Sequence, residues 1–230
     1  MSVQEWRTVT FVHWRADAAA LAARVPPWLR LDTVDGSPWV SLVAFGMRVH
    51  APVGPAIPWL GDFAETNVRT YVVGPDGERG LWFFSLDAQR LPFVMPARAI
   101  GIPYVWSSMA LDARPDRVRY RTRRRLAFGA PASSTLEVMP GASIADQQQT
   151  PLDVFLTARF RLYARGPAWR FAVQVEHPRW PLRRARIERL EDRLVAAAGI
   201  RVEGDPLVHY SDGVRVRLGL LEPLTAQRSP

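Results

Sequence analysis

The sequence contains no lysine and no cysteine. Without cysteine there are no disulfides, no thiol nucleophiles and no thiolate metal sites. Without lysine, all 30 basic side chains are arginine, and arginine stays protonated in proteins. The usual imine-forming group, a desolvated lysine of lowered pKa, is therefore missing. Only the N-terminal amine could add to a carbonyl, and no neighbouring residue points to that use. Long apolar runs are also lacking. Prolines and charges interrupt every stretch before the run of about eighteen residues that a transmembrane helix needs. The opening residues MSVQEWRTVTFVHWRAD are polar and charged almost from the start, unlike a secretory leader. The expectation is a soluble cytoplasmic protein with no membrane insertion.

Several common catalytic patterns are missing as well. There is no glycine-rich phosphate loop and no GxSxG elbow. His13, His50, His177 and His209 are too dispersed to define a metal site by spacing, and no HExxH occurs. Neither a metal nor a cofactor is expected.

What is present is a chain of 230 residues, 48% of them hydrophobic, which suffices for a sizeable core. The formal charge is +8. Richness in arginine, alanine and proline also fits a compositional bias, so this charge is a weak guide to partners.

Strand and turn signals dominate. VTFVHW at 9–14 reads as a strand, and Asp17 can cap a short helix over 18–24 that Pro26 and Pro27 stop. The Asp35–Gly36 turn leads into an apolar strand at 39–47, whose near-continuous hydrophobicity predicts burial on both faces. Residues 49–63, broken by Pro52, Pro55 and Pro58, read as a long ordered loop. A hairpin follows at 67–73 and 80–87 around GPDG. A short helix is expected within 88–103, then strands at 104–111 and 117–125 around ARPD. Residues 136–138 suggest a short strand, and PGASIADQQQT at 140–150 a surface loop. Helical turns at 152–157 precede a second hairpin, 160–164 with 169–175. Ile187, Leu190, Leu194 and Ala198 at spacings of three or four predict the best helix of the chain over 184–198, with Gly199 as its cap. A last strand is expected at 214–220. No linker divides this order, so one domain is expected over 1–230, predominantly β with minor helices, ending in a flexible tail from about residue 222.

NVRTYV at 67–72, WFFSLDA at 82–88, ARAIGIPY at 97–104, FLTARFRLYA at 155–164 and VEHPRWPLRRA at 175–185 together resemble the uncharacterised, YqjF-like DUF2071 family. The resemblance runs from about Val9 to Leu220. It implies an acetoacetate decarboxylase-like fold, a distorted antiparallel barrel or cone with an internal cavity. The decarboxylases of that fold use a lysine imine, which this chain cannot form. The family implies no settled activity of its own.

Candidate pocket residues follow from strand parity. Asn67, Arg69 and Tyr71 share one face of the first hairpin strand, while Ser85 and Asp87 share a face with Leu81 and Phe83. An inward Arg69–Asp87 pair across the hairpin would make a polar constellation for a carboxylate or carbonyl ligand, or else a structural ion pair. Arg98, Tyr104 and Arg159 fall in the family-like segments. They read either as groups at the mouth of the cavity or as loop anchors. His177, in EHPRWP, suits proton transfer or a structural hydrogen bond. A catalytic version would use Arg69 as anchor, Asp87 or His177 for proton transfer and Tyr104 as donor.

Arg117, Arg119, Arg121 and Arg123 alternate along one strand face. That stripe over 117–125 is the alternative site, for nucleic acid or another acidic partner, against the plainer reading of a solvated outer face. No nucleic-acid-reading motif accompanies it, which favours the plainer reading. The leading expectation is a small organic or anionic ligand in the cavity. A homodimer, or a purely structural domain, stands beside it.

Overall fold

The computed structural model describes residues 2–50, 61–125 and 130–224. In chain order the strands are β1 (Ser2–Ala16), β2 (Arg30–Leu31), β3 (Thr33–Val34), β4 (Ser37–His50), β5 (Asp62–Val73), β6 (Arg79–Ala88), β7 (Tyr104–Ala113), β8 (Val118–Arg124), β9 (Ser133–Ser143), β10 (Arg161–Arg165), β11 (Arg170–Glu176), β12 (Leu182–Asp192) and β13 (Val202–Pro223). Among the described residues four short α-helices interrupt them: α1 (Ala18–Ala22), α2 (Leu91–Ala99), α3 (Pro151–Thr157) and α4 (Leu194–Ala197).

The strands run in the order β11-β10-β6-β7-β8-β9-β12-β13-β1-β4-β5-β2, with β3 beside β4. Two further pairings, β5 with β6 and β11 with β13, close the sheet on itself. β6 and β13 are the forks. One edge of β6 pairs with β10 at Leu81 and Trp82, then with β7 from Leu86 onward. β13 takes β12 over Ser211–His209 and β11 over Arg217–Pro223. The result is a closed, cone-like and mostly antiparallel sheet, the predominantly β fold that the sequence predicts.

The fork explains the continuous apolarity of β4. Its two faces look into two different interiors. Leu42 and Ala44, with Val68 of β5, join Tyr120, Leu136, Val138 and Leu194 in the larger apolar core. Val43, Phe45 and Met47 join Phe11, Val94 and Trp180 in a second. A strand buried on both faces has no solvent side on which to place alternating polar residues.

Several expected elements are present with shifted ends. Asp17 caps α1 by accepting from the Ala20 N–H at 2.7 Å. In the expected loop 49–63, Val49 and His50 instead end β4, and Asp62 and Phe63 begin β5. Residues 51–60 lie outside the described set, as does the tail from 225. The expected surface loop at 140–150 is in its first part the end of β9.

The helix expected over 184–198 is not there. β12 occupies Leu182–Asp192, and only Leu194–Ala197 is helical. The cause is a bulge. Ile187 pairs with Val138 and Arg189 with Glu137, so Glu188 is an extra residue with no partner. That insertion brings Ile187 and Leu190, three apart, to the same apolar core. A bulged strand thus imitates helical spacing.

A second irregularity fixes the seam between β1 and its neighbours. The β1–β4 register shifts between Arg7 and Thr10, where Thr8 has φ of 52°. Tyr120 donates to the freed Thr8 carbonyl at 2.7 Å and lies 2.9 Å from the Thr10 hydroxyl. Opposite this bend, Gly213 pairs with Arg7 at φ of 134°, and a Cβ there would stand 2.1 Å from the Trp6 carbonyl oxygen. Gly213→Ala should therefore destabilise the fold by about 2 kcal/mol or more, through both strain and clash. A denaturant titration showing an unchanged midpoint would refute this account of the seam.

Candidate functional site

β5 carries Glu65, Asn67, Arg69 and Tyr71 at every second position, so they share one face. Their cross-strand partners on β4 are Phe45, Val43 and Ser41 for the first three. Glu65 is 2% exposed and Arg69 5%. This face bounds a partly enclosed cavity of about 70 Å³. That is several times the ~10–15 Å³ needed to seat one water. Glu65, Asn67 and Arg69 line it from β5, Leu81, Phe83 and Leu86 from β6, and Tyr104 from β7. Thr157, Arg159, His177 and Trp180 wall it from the α3–β10 and β11–β12 connections.

Glu65 accepts a hydrogen bond from the Tyr104 hydroxyl at 2.9 Å. Burial pushes its carboxyl up to about 7, against hydrogen bonds from Tyr104 and Asn67 that favour the ionised form; the charge of Asp87 adds to the rise. Burial also drives the Tyr104 phenol well above its ordinary value. The pair is therefore an acid near neutrality held by a phenol that stays protonated.

Arg69 is set by its row. His13 of β1, Ser41 of β4 and Arg69 of β5 are successive register partners. His13 Nδ1 lies 2.6 Å from the Ser41 hydroxyl, which lies 2.6 Å from the Tyr71 hydroxyl, and Tyr71 donates to the Leu156 carbonyl at 2.7 Å. Arg69 shares that carbonyl through a long 3.4 Å bond and lies over the Phe11 ring, 5.6 Å from its centroid. Its Nε has no partner. No carboxylate among the described residues comes within ion-pair distance of Arg69, and the residues outside that set include no aspartate or glutamate. Burial lowers its pKa, yet a guanidinium remains charged.

Of the residues singled out from sequence, Arg69, Tyr104, Arg159 and His177 come together on this cavity. Arg159 stacks on Phe155 at 4.2 Å and reaches Asp32 at 3.0 Å. His177 sets Nδ1 at 2.7 Å from the Pro178 carbonyl and Nε2 at 3.3 Å from that of Arg159. Burial lowers its pKa. Both nitrogens face backbone carbonyls, and the neutral ring donates to one of them.

Ser85, Asp87 and Arg98 are placed elsewhere, and the expected Arg69–Asp87 pair does not form. In the β5–β6 register Arg69 faces Phe83 while Val68 faces Ser85, so Phe84 is the extra residue of a bulge. That insertion inverts the parity beyond it. Leu81, Phe83 and Leu86 look into the cavity, whereas Ser85 and Asp87 turn to the opposite face with Val68 and Thr66. There Asp87, fully buried, binds Arg124 at 2.8 and 3.0 Å and accepts from Ser85 and Ser107 at 3.1 and 2.8 Å. Arg98, on α2, donates to the Tyr104 carbonyl and does not line the cavity.

The residues missed from sequence are Glu65 and the role of Asn67. The alternation that reveals Arg69 and Tyr71 continues upstream through Asn67 to Glu65. Starting the strand at Asn67 cut it off.

The arginine stripe faces outward as its alternation predicts, with Arg121 and Arg123 exposed. Arg117 and Arg119 are already matched to Glu137, at 3.2 and 2.6 Å. On the outer side of the cavity wall lies an open surface depression of about 1040 Å³ that Arg159 also borders. Its arginines are largely neutralised: Arg161 by Asp76 and Glu222, Arg79 and Arg159 by Asp32. No group of three or more metal-ligating side chains occurs among the described residues, and no helix there is long and apolar enough to cross a membrane.

This architecture is shared with enzymes of the acetoacetate decarboxylase-like fold. The structure is similar to that of the enduracididine biosynthesis enzyme MppR complexed with pyruvate, with TM-score 0.67 and 13% identity over 98% of this chain and 91% of that one. It is similar to acetoacetate decarboxylase from Legionella pneumophila, TM-score 0.67 and 13% identity over 98% and 88%. An acetoacetate decarboxylase-like enzyme from Sphingomonas wittichii RW1 gives 0.65 and 15% over 98% and 93%. At such identities the likeness establishes the fold. The chain belongs to the DUF2071 family of uncharacterised conserved proteins, whose model matches residues 3–215. It is 34% identical over 211 residues to the uncharacterised protein YqjF of Bacillus subtilis (strain 168), covering 90% of this chain and 86% of that protein.

Two variants separate the faces of β5 and β6. Asp87→Asn should cost about 3–5 kcal/mol by denaturant titration, because it strands the buried Arg124 charge. Glu65→Gln should act through pH. Below pH 4.5 the carboxyl is protonated in both folded and unfolded chains. Between 4.5 and about 7 only the unfolded chain ionises, so stability falls with rising pH and the full penalty persists above 7. At about 1.4 kcal/mol per pH unit the penalty is on the order of 3 kcal/mol. The variant should therefore gain stability over the parent at pH 8 and not at pH 4, and equal denaturation midpoints at both pH values would count against a buried titrating Glu65.

Proposed function

We propose that the protein binds a small organic carboxylate in the partly enclosed cavity, with Arg69 as its anchor. One observation carries this reading: Arg69 is a buried guanidinium with an unpartnered Nε, lines the cavity, and has no carboxylate of the described residues beside it. A buried charge without a partner is strongly disfavoured. A ligand carboxylate supplies the partner, and the planar guanidinium fork suits two-point contact. Asn67 presents an unpartnered Oδ1 next along the same face, and Tyr104 with Glu65 occupies the far end. Proton transfer, where the bound molecule undergoes any, falls to Glu65 rather than Asp87, which faces away. No step through a lysine imine belongs to this proposal, since the chain has no lysine. Pyruvate, named as the bound molecule in the MppR structure, is a suitable first probe here beside acetate and butanoate.

Arg69→Met keeps much of the side-chain volume and removes the charge. It should weaken binding of each acid at least tenfold by calorimetry. It should also raise the stability of the ligand-free protein by about 1 kcal/mol or more, since an uncompensated buried charge is removed. An ordinary functional surface residue would show neither the gain nor its coupling to lost affinity. Unchanged affinity in the variant, or no binding of any carboxylate by the parent, would overturn the proposal.

A further inference from the structure

The cavity has two ends with opposite unmet needs. At one end Arg69 lacks an anion. At the other, Glu65 lacks a cation: no arginine or histidine among the described residues lies within ion-pair distance of it. Each is what the other needs, yet they do not meet. They sit four residues apart on β5, which at ~3.3 Å per residue separates their Cα atoms by about 13 Å. Asn67 lies between them on the same face. The titratable groups near Arg69 are the phenol of Tyr71, the imidazoles of His13 and His177 and the second guanidinium, Arg159. Those near Glu65 are Tyr104 from β7 and, across the sheet, Asp87 of β6. Arg159 is paired with Asp32 and Asp87 with Arg124, which leaves Arg69 and Glu65 as the two ends of the cavity without an opposite charge beside them.

We propose that the natural ligand is a zwitterionic ω-amino acid, its carboxylate on Arg69 and its ammonium on Glu65 with Asn67 alongside. The inference rests on the carboxylate reading above and narrows its substrate class. A plain carboxylate satisfies one end and leaves Glu65 with the neutral donors Tyr104 and Asn67 alone; a zwitterion brings it a cation as well. The two side chains take up part of the 13 Å span. At roughly 1.2 Å of extension per bond, a chain of about three to five methylenes covers the remainder. The ligand therefore falls between 4-aminobutanoate and 6-aminohexanoate. 2-Amino acids, whose two charges sit on one carbon, are too short to reach both ends. A chain of this kind also places its methylenes against Leu81, Phe83 and Leu86, the apolar side of the cavity.

Calorimetry on the full-length protein at pH 7, in two buffers of different ionisation enthalpy, tests this with butanoate, butylamine, glycine and the 4- to 6-carbon ω-amino acids. The expected result is at least tenfold tighter binding of one of these ω-amino acids than of butanoate, with proton release, because the ammonium drives Glu65 to ionise. Butanoate should instead bind with proton uptake. In Glu65→Gln the preference for the ω-amino acid should fall at least tenfold and the proton release vanish, while butanoate still binds. Arg69→Met should lose both ligands. Butanoate binding as tightly as every ω-amino acid, in an Arg69-dependent way, would overturn this inference and leave the carboxylate reading standing. Arg69-independent binding, or no binding of any acid, would remove both. Preference for the ω-amino acid that survives in Glu65→Gln would also overturn the pairing proposed here.

Discussion

β5 is buried on both faces, and most of what distinguishes this protein follows from that constraint. A strand flanked by two interiors must find a partner inside the protein for each polar side chain it carries. On the face toward β8 this is achieved. The Thr66 hydroxyl lies 3.0 Å from that of Thr122, and Thr70 donates to the Trp39 carbonyl at 2.7 Å. On the other face it is achieved for Tyr71, through Ser41, His13 and the Leu156 carbonyl. It is only half achieved for Arg69 and Glu65. Because unmatched groups of this kind are costly, two of them on one face of one strand mark where the molecule leaves room for something else.

Bulges decide which chemistry reaches that face. The extra residue at Phe84 turns Ser85 and Asp87 away from the cavity and delivers Leu86 into it. In an unbroken register Asp87 would share the cavity face and stand opposite Glu65. With the insertion, Asp87 is consumed by Arg124, Ser85 and Ser107 in a satisfied cluster, and no carboxylate among the described residues stands beside Arg69. One inserted residue thus keeps a second carboxylate out of the cavity.

The same feature limits how far the sequence alone could be read. Turn chemistry and alternation place both hairpins, the cap at Asp17 and the doubly buried β4, because each rests on residues close in the chain. Arg69, Tyr104, Arg159 and His177 are drawn from four separate segments, and the family-like motifs put all four near one cavity. What escapes is phase. A bulge is an extra residue with no strong residue signature, and it swaps inside for outside along the rest of its strand. At Phe84 that reversal misassigns Ser85 and Asp87. At Glu188 it makes a strand look like a helix. Glu65 escapes for a simpler reason: the alternation was legible, but the strand begins five residues before Asn67.

The missing lysine takes its meaning from this setting. A lysine buried at the position of Arg69 could relieve itself by losing its proton, since desolvation lowers an ammonium pKa into the range where the neutral amine prevails. It would then become a nucleophile, as amines in such surroundings do. An arginine has no such release, because its guanidinium keeps its proton even when burial lowers its pKa. Placing arginine where an amine could have stood therefore removes the group able to attack a carbonyl and leaves a permanent buried charge in its place. The all-arginine composition, which as a total says little about partners, becomes at this one buried position the reason for reading the cavity as a binding site.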